Sequence, residues 1–564
     1  YRSIVYASSI TGTSVAGIIS ASDMAYEQLL GLCVDAGSLK PIAGNNSNAP
    51  YRGVFNKSVT LTDASFNYGY SGASVSYRDI ISQNPYWTID GSNVIGINYT
   101  VNDPLSASKS EPLTYTYTAT GEECYHITTQ NEFNYVSWLI ATNFVNSNVS
   151  TIIKPIYFSS VTLSGDFRAL AGSSAYPIKT NIYGGTNVTI STADSSVNPK
   201  ALFGYAYGNK NITITNIAVD NKQSSNTYRF ASTGTLFKDV YGINLSNITV
   251  TSRSYYFTEK SGTVAKTLNN SNVSGVVANG TVRASGSNIG GITAYAGNGT
   301  TIDNCANNIN ITASSVAGGI VAEADSINII NGCSNTGTID LSGGYGGGIA
   351  GSISSSTIRD AINNVGANIY GANYMGGIVG NASSSTITSS VTNYSKAYNA
   401  ANIDGDDYVG GIAGQATSST ISYMLVRGTI YGNASYVGGV VGVAKDEVSD
   451  CINYGLIVGN DFVGGIAGLV FANEVGKFSF TKNFNASNIK GNNYVAGIVG
   501  KLTNVNMHYC FVVDNDNDNV KGCIEGNNYV AGLAAMIDNA NVFGCYANIS
   551  VKSNDIGAGL IATY

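Results

Sequence analysis

Apolar residues recur along this chain at a long, steady interval. An Ile, Val or Leu follows a pair of small residues at Leu236, Val264, Ile292, Ile320, Ile349, Ile378, Ile412, Val440, Ile466, Ile498, Leu533 and Leu560, with a weaker match at Leu202. The spacings run from 26 to 35 residues and cluster at 28 and 29. The clearest copy is Tyr374-Met375-Gly376-Gly377-Ile378-Val379-Gly380. A period of this size marks a repeat architecture, in which each unit buries its apolar face only against its neighbours. A second apolar column runs through Ile339, Ile369, Ile403, Ile430 and Ile489.

Between these markers, short β-prone runs are broken by Gly and Asn every six to ten residues. That rhythm suits three short strands per turn, with Gly and Asn at corners that need positive φ. Helices are disfavoured, since each interior glycine would cost a helix about 1 kcal/mol. The expected fold is all-β: a right-handed parallel β-helix of about 12–13 coils, roughly 60 Å long at ~4.8 Å per coil, over residues 201–564. Asp at Ile378 is expected to unfold several coils.

The region before the coils is less regular. Residues 1–50 form an N-terminal segment, in which Asp23 could cap a short helix through Leu30. Residues 51–123 alternate like the strands of a β-sandwich, including the run LTYTYTAT. Residues 124–200 read as a cap. Thr129 followed three residues later by Glu132 forms a capping box, which predicts a helix from about Gln130 to Asn143, with strands at Thr151–Leu163 and Thr186–Ile190. This helix would plug the open apolar end of the solenoid.

The order of YHITTQNEFNYVSWL, then ALFGYA at Ala201–Ala206, then the GGIxG units resembles the GLUG-motif repeat regions of microbial surface proteins. The resemblance covers roughly residues 124–564. It implies a parallel β-solenoid on a secreted or surface-exposed protein and no single activity. The chain departs from the pattern in its uneven coil lengths and in lacking an associated protease motif.

Composition narrows the function classes. Only 11% of the 564 residues are charged, against a usual ~25%, and the net charge of -7 offers no basic field for nucleic acid. No apolar run is long enough for a membrane span. The chain opens on Tyr1 without a signal-peptide pattern and stops at GLIATY without a capping unit. The expectation is that a leader has been removed or the chain is a fragment, and that it, or a neighbouring subunit, continues past Tyr564.

Four constellations could carry chemistry. An aromatic column precedes the marker at Tyr345, Tyr374, Tyr408, Tyr436, Phe462, Tyr494 and Tyr529. It is either a stacking surface for sugars or a partner strand, or a structural ladder at a corner. Asp514, Asp516, Asp518 and Glu525 take positions 1, 3, 5 and 12 of a run resembling a calcium loop, although Asn519 stands where a glycine is expected and no helices flank it; the alternative is a solvated insertion. Ca²⁺ is the one cofactor in view. Cys305 with Cys333, and Cys510 with Cys545, sit at matching points of adjacent coils and could form disulfides, or else pack as small apolar residues; Cys33–Cys124 and Cys451–Cys523 are the leftover pairs. Zinc spacing is missing.

The fourth is glycosylation. N-x-S/T sequons occur at Asn45, Asn56, Asn98, Asn148, Asn187, Asn211, Asn244, Asn247, Asn269, Asn272, Asn279, Asn298, Asn310, Asn381, Asn393, Asn433, Asn485 and Asn548. Such an Asn-, Ser- and Thr-rich chain yields most of that number by composition, and the sequons matter only on a secretory route. The only histidines are His126 and His508, the acids are scattered, and HExxH, GxSxG and phosphate-loop motifs are missing. The expectation is an extracellular or cell-surface protein that is not an enzyme. It would be a rigid glycosylated rod self-associating into a coat or filament, or alternatively an adhesin that takes carbohydrate or protein on the solenoid flank or the 51–123 region.

Overall fold

A computed structural model of the chain divides into two compact units, Tyr1–Lys109 and Ser110–Tyr564. The structure describes the second unit except for residues 143–152, 165–168, 172–173, 175–176, 186–188, 193–200, 222–232, 258, 285, 328, 393 and 515–521. In the first unit it describes only the backbone of six short strands. Ser3–Ala7 pairs in parallel with Leu32–Ala36, and Ile10–Gly12 with Leu39–Pro41. Trp87–Asp90 and Asn93–Ile97 form an antiparallel pair. The expected helix after Asp23 lies outside the described residues, as does most of the 51–123 region.

The second unit is a parallel β-solenoid. One coil shows its plan: Tyr345–Gly347, Ala350–Ser354, Thr357–Arg359, Ile362–Asn363 and Ile369–Tyr370 are successive strands. Each pairs in parallel and in register with its counterpart one coil later, as in Ile358↔Ile387, Asn363↔Asn399 and Ile369↔Ile403. A coil therefore has five strand positions rather than the expected three. The glycines that break the apolar runs make strands of two to five residues, so more corners fit in the same length. The first position forms a sheet of its own, eleven strands from Ser261–Gly262 to Gly557–Ala558.

Side chains alternate along these short strands, in for Ile353 and Ile358, out for Ser352 and Arg359. The marker residues from Leu202 to Leu533 are inside: Ile292, Ile320, Ile349, Ile378, Ile412, Ile466 and Ile498 are completely buried, and so are Ile339, Ile369, Ile430 and Ile489 of the second column, whereas Leu560 in the last coil is 51% exposed. Uneven coil lengths do not disturb this register. The long spacing from Ile378 to Ile412 comes from residues inserted between Thr386–Thr388 and Tyr398–Asn399. Those before Ile498 and Leu533 come from insertions after Phe471 and after Val513. Each insertion leaves at a corner, where loop closure costs grow only slowly with length.

The cap begins earlier than the sequence implies. Leu113–Tyr117 and Glu122–Ile127 form an antiparallel hairpin whose second strand is the first rung of the solenoid, pairing in parallel with Ile156–Phe158. Thus LTYTYTAT belongs to the solenoid unit and not to a sandwich. The helix spans Gln130–Thr142. Its capping box forms: the Thr129 amide donates to Glu132 Oε2 at 2.9 Å, and the Glu132 amide donates to Thr129 Oγ1 at 3.3 Å. Phe133, Val136 and Ile140 point into the core. Phe133 meets Phe158 and starts a buried run of rings through Phe203 and Phe237.

Candidate functional site

One interior ladder explains the second glycine of each pair. Asn307, Asn335, Asn363 and Asn399 stack on consecutive coils, completely buried. Each Nδ2 donates to the next Oδ1, at 2.7, 2.9 and 2.9 Å. The run resumes with Asn453 and Asn485 after Val426 takes one rung. The asparagines before Asn485 also close their own turns, as Asn307 does with the Ile309 carbonyl and amide. Across the core, a Cβ on the second glycine of the motif would strike this amide: Gly348 would meet Asn363, and Gly439 would meet Asn453. The second glycine and the core asparagine are thus two halves of one fit.

The aromatic column forms a stacked ladder at a corner. From Tyr374 to Tyr529 the ring centroids are 4.5–5.3 Å apart, and Phe462, Tyr494 and Tyr529 are within 5° of parallel. Tyr374, Tyr408, Tyr436, Phe462, Tyr494 and Tyr529 all have φ between 52° and 63°, a region bulky residues avoid. The glycine after the marker makes this possible: a Cβ on Gly414 would meet the Tyr374 backbone at 2.6 Å. Ring faces within the ladder are covered by neighbouring rings and the exposed parts are edges. The arrangement stabilises the corner and leaves no row of open faces for sugars.

The cysteines require a correction. Cys124, Cys305, Cys333, Cys451, Cys510, Cys523 and Cys545 are all free thiols. Cys305–Cys333 and Cys510–Cys545 are stacked on adjacent coils as their spacing implies, but neither pair is bridged. In-register parallel strands carry their Cα–Cβ bonds side by side, whereas a disulfide needs them to converge. Apart from Cys523, each thiol instead points to the carbonyl two residues before it, Cys305 to Asp303 at 3.3 Å and Cys451 to Ser449 at 3.2 Å. Cys451 and Cys523 lie at different strand positions, and with Cys124 free the Cys33–Cys124 bridge is not formed. The column also contains Val276, Ala361, Ala397 and Met424, so it is a packing column. A hydrogen bond from Cys510 lowers Cys545 to about 7, while burial raises Cys510 and pushes Cys451 up to about 12.

Of the calcium-loop residues, Asp514 and Glu525 are described. Asp514 accepts a hydrogen bond from the Gly522 amide. Asp516 and Asp518 lie outside the described residues. Glu525 faces out between Lys490 and Lys552, its carboxylate 2.7 Å from Lys552 Nζ, which holds it below the usual carboxylate range. Among the described residues, no group of three His, Cys, Asp or Glu side chains could hold a metal ion. None of the described helices is long and apolar enough to cross a membrane.

The sequons divide by exposure. Asn211, Asn247, Asn298, Asn310, Asn433 and Asn548 are exposed; Asn244, Asn269, Asn272, Asn279 and Asn381 are half-buried. Asn485 is in the interior ladder, completely buried, where a glycan has no room. Asn45, Asn56, Asn98, Asn148, Asn187 and Asn393 lie outside the described residues.

Two surface features escaped the sequence reading. The first is an apolar row one residue before the asparagine column: Ile362, Tyr398, Leu425, Ile452, Phe484, Phe511 and Tyr546 lie on successive coils in one register, Leu425 buried and the others half-buried or exposed. Phe511 and Tyr546 are 41% and 52% exposed. The signal was an apolar residue one place before each rung of the asparagine column, which is visible only once the register between coils is known. The second is an open cleft of about 700 Å³ on the flank near the capped end, lined by Lys179, Tyr207, Asn209, Asn211, Asp239 and Tyr241, among others. Here Tyr207↔Tyr241 and Ile212↔Ile243 are paired, so Gly208–Asn211 bulge opposite the single residue Gly242. Lys210 takes φ 61° at the bend, and its carbonyl accepts from Asn244 Nδ2 at 2.9 Å. Burial, then the nearby Asp239 carboxylate, raises the Tyr207 phenol.

No family model, curated protein or solved structure matches the chain. The parallel solenoid is established by its strand pairing; the likeness to GLUG-repeat proteins is not carried by a match.

Proposed function

We propose that this chain is a non-enzymatic structural protein of the cell surface or extracellular space, a rigid, glycosylated, right-handed β-helical rod that packs side by side with copies of itself into a coat or filament. The observation that carries this reading is the apolar row from Ile362 to Tyr546. Apolar surface left partly open along successive coils, most of all at Phe511 and Tyr546, favours association, and a row repeating once per coil matches the same row on a second copy. Stacked coils held by interior ladders supply stiffness, and right-handed winding follows the strong preference of parallel crossovers. The resemblance to GLUG-repeat surface proteins supports a secretory route, on which the six exposed sequons would take the glycans. Electron microscopy of native material tests the proposal. Ordered fibres or a lattice are expected, lost in a Phe511→Lys/Tyr546→Lys variant that melts at the parental temperature; dispersed particles in both would overturn it.

The alternative, an adhesin binding through the solenoid flank, is favoured by the cleft at Tyr207 and Tyr241. Calcium binding at Asp514, Asp516, Asp518 and Glu525 is a separate proposal, and it requires Glu525 to leave Lys490 and Lys552. Calorimetry with Ca²⁺ should then give heats that Asp516→Ala abolishes; identical heats from both proteins would sink it.

A further inference from the structure

We infer that the flank cleft around Tyr207 and Tyr241 is a saccharide-binding site. This deepens the adhesin alternative by naming its ligand class and its residues, and is independent of lateral packing through the row.

The bulge at Gly208–Asn211 builds the site. In most coils the corner between the second and third strands is tight, as at Asn269-Asn270-Ser271-Asn272, the insertion after Phe471 being the other exception. At Tyr207 the chain swings outward instead, and the loop is braced rather than slack: Asn244 holds the Lys210 carbonyl, and the Asn209 amide donates to Asn211 Oδ1 at 3.3 Å. Bulges of this kind re-aim side chains next to functional sites.

The two aromatic rings differ from the corner ladder. Tyr207 and Tyr241 meet edge to face, 87° apart with centroids at 6.5 Å. An edge-to-face pair leaves ring faces uncovered, and Tyr241 is 44% exposed. The apolar face of a pyranose ring can lie on such a ring, while its hydroxyls need donors and acceptors at the rim. Asn209 and Asn211 supply carboxamides, Asp239 an acceptor and Lys179 a donor. Among the described residues, neither Asp239 nor Lys179 is held in an ion pair. The volume falls in the usual range for small-molecule sites, about 300–1,000 Å³. One aromatic floor with mixed neutral and singly charged rim groups fits a neutral oligosaccharide better than an anionic polymer.

The saccharide could come from outside or from the chain itself, because Asn211 at the rim is an exposed sequon. The test therefore uses the whole chain from two hosts. Protein made unglycosylated in a bacterial host is titrated by saturation-transfer NMR with maltotriose, cellotriose, chitotriose and the trimannosyl-chitobiose core. At least one should bind with a Kd of about 1 mM or tighter. Tyr241→Ala should weaken that binding about tenfold or more, as loss of a stacking ring does, and Asn209→Ala should also weaken it. Tyr431→Ala, an exposed tyrosine on another strand position, should leave it unchanged, with thermal melts confirming that all variants fold.

Glycosylated, secreted protein then separates the sources. If the chain's own glycan fills the cleft, the added saccharide binds only after Asn211→Gln; if the ligand is external, the secreted parent binds as the bacterial protein does. Either outcome supports the site. Failure of all four saccharides to bind the unglycosylated protein, or binding that survives Tyr241→Ala undiminished, overturns it. The adhesin alternative fails separately, if neither form of the protein retains cells or any protein partner on a coated surface.

Discussion

Tyr408 holds φ at 58° with its ring 4.5 Å from Tyr374 and 5.3 Å from Tyr436. The backbone there costs about 1–2 kcal/mol for any residue with a Cβ, and ring contacts on both sides return about 0.5–1.5 kcal/mol each beyond the area they bury. Tyr408→Ala keeps the strain and loses the stacking, so the coils at Tyr374–Phe462 should lose about 2–3 kcal/mol of protection in hydrogen exchange. Tyr408→Gly also loses the rings but relieves the backbone, and should recover roughly 1 kcal/mol of that loss. A glycine variant no better than alanine would show that the corner is not strained. Thiol chemistry is decided at the same scale. Cys545 is half-buried and lowered to about 7, Cys451 is completely buried and raised to about 12. Since the thiolate is the nucleophile, alkylation with iodoacetamide should mark Cys545 between pH 7 and 8 and leave Cys451 untouched until the fold opens. Peptide mass mapping reads both, and also confirms the unbridged thiols.

The elements are short, and their stability comes from what lies above and below each strand. Asn363 donates to Asn399 and accepts from Asn335, both at 2.9 Å. Removing one member of a buried polar row leaves its neighbours unsatisfied, at about 1–3 kcal/mol per group. Asn363→Ala adds a cavity against Gly348 and should destabilise its coils by about 3 kcal/mol or more. Asn363→Val fills that space, as Val426 does opposite Gly411, and should cost about half as much. Equal losses for the two variants in a denaturant melt would mean that shape does not matter at this rung. The asparagines and the glycine pair both stand in the repeat sequence, yet nothing in the linear pattern said that they touch. Their contact spans the core between strand positions one and four, and only closure of the coil brings it about. The capping box at Thr129 and Glu132 is the opposite case: both partners lie within one helical turn, so its geometry could be read directly.

For the solenoid as a whole, a coil within the stack is buried against its two neighbours and the first coil against the helix, which makes it a one-dimensional stack. Ile378 is completely buried and joined through its carbonyl and amide to Ile349 and Ile412. An ionised side chain there is a buried charge with no partner, so Ile378→Asp should melt the coils on both sides of it while distant coils, such as those near Ile292, keep their amide protection. A uniform loss along the chain would mean the stack behaves as a single cooperative block. The repeat period, the inward column, the parallel β class and the capping helix were all fixed by the amino-acid sequence alone, because they rest on spacing and on local hydrogen bonds. Tertiary structure alone decided which asparagine is a core rung and which an open sequon, why neighbouring cysteines stay apart, where the rings stack, and where one bulge opens a cleft. These depend on the phase of a two-residue alternation relative to the neighbouring coil; shifting that phase by one residue turns each side chain from core to solvent, and the linear sequence does not record it.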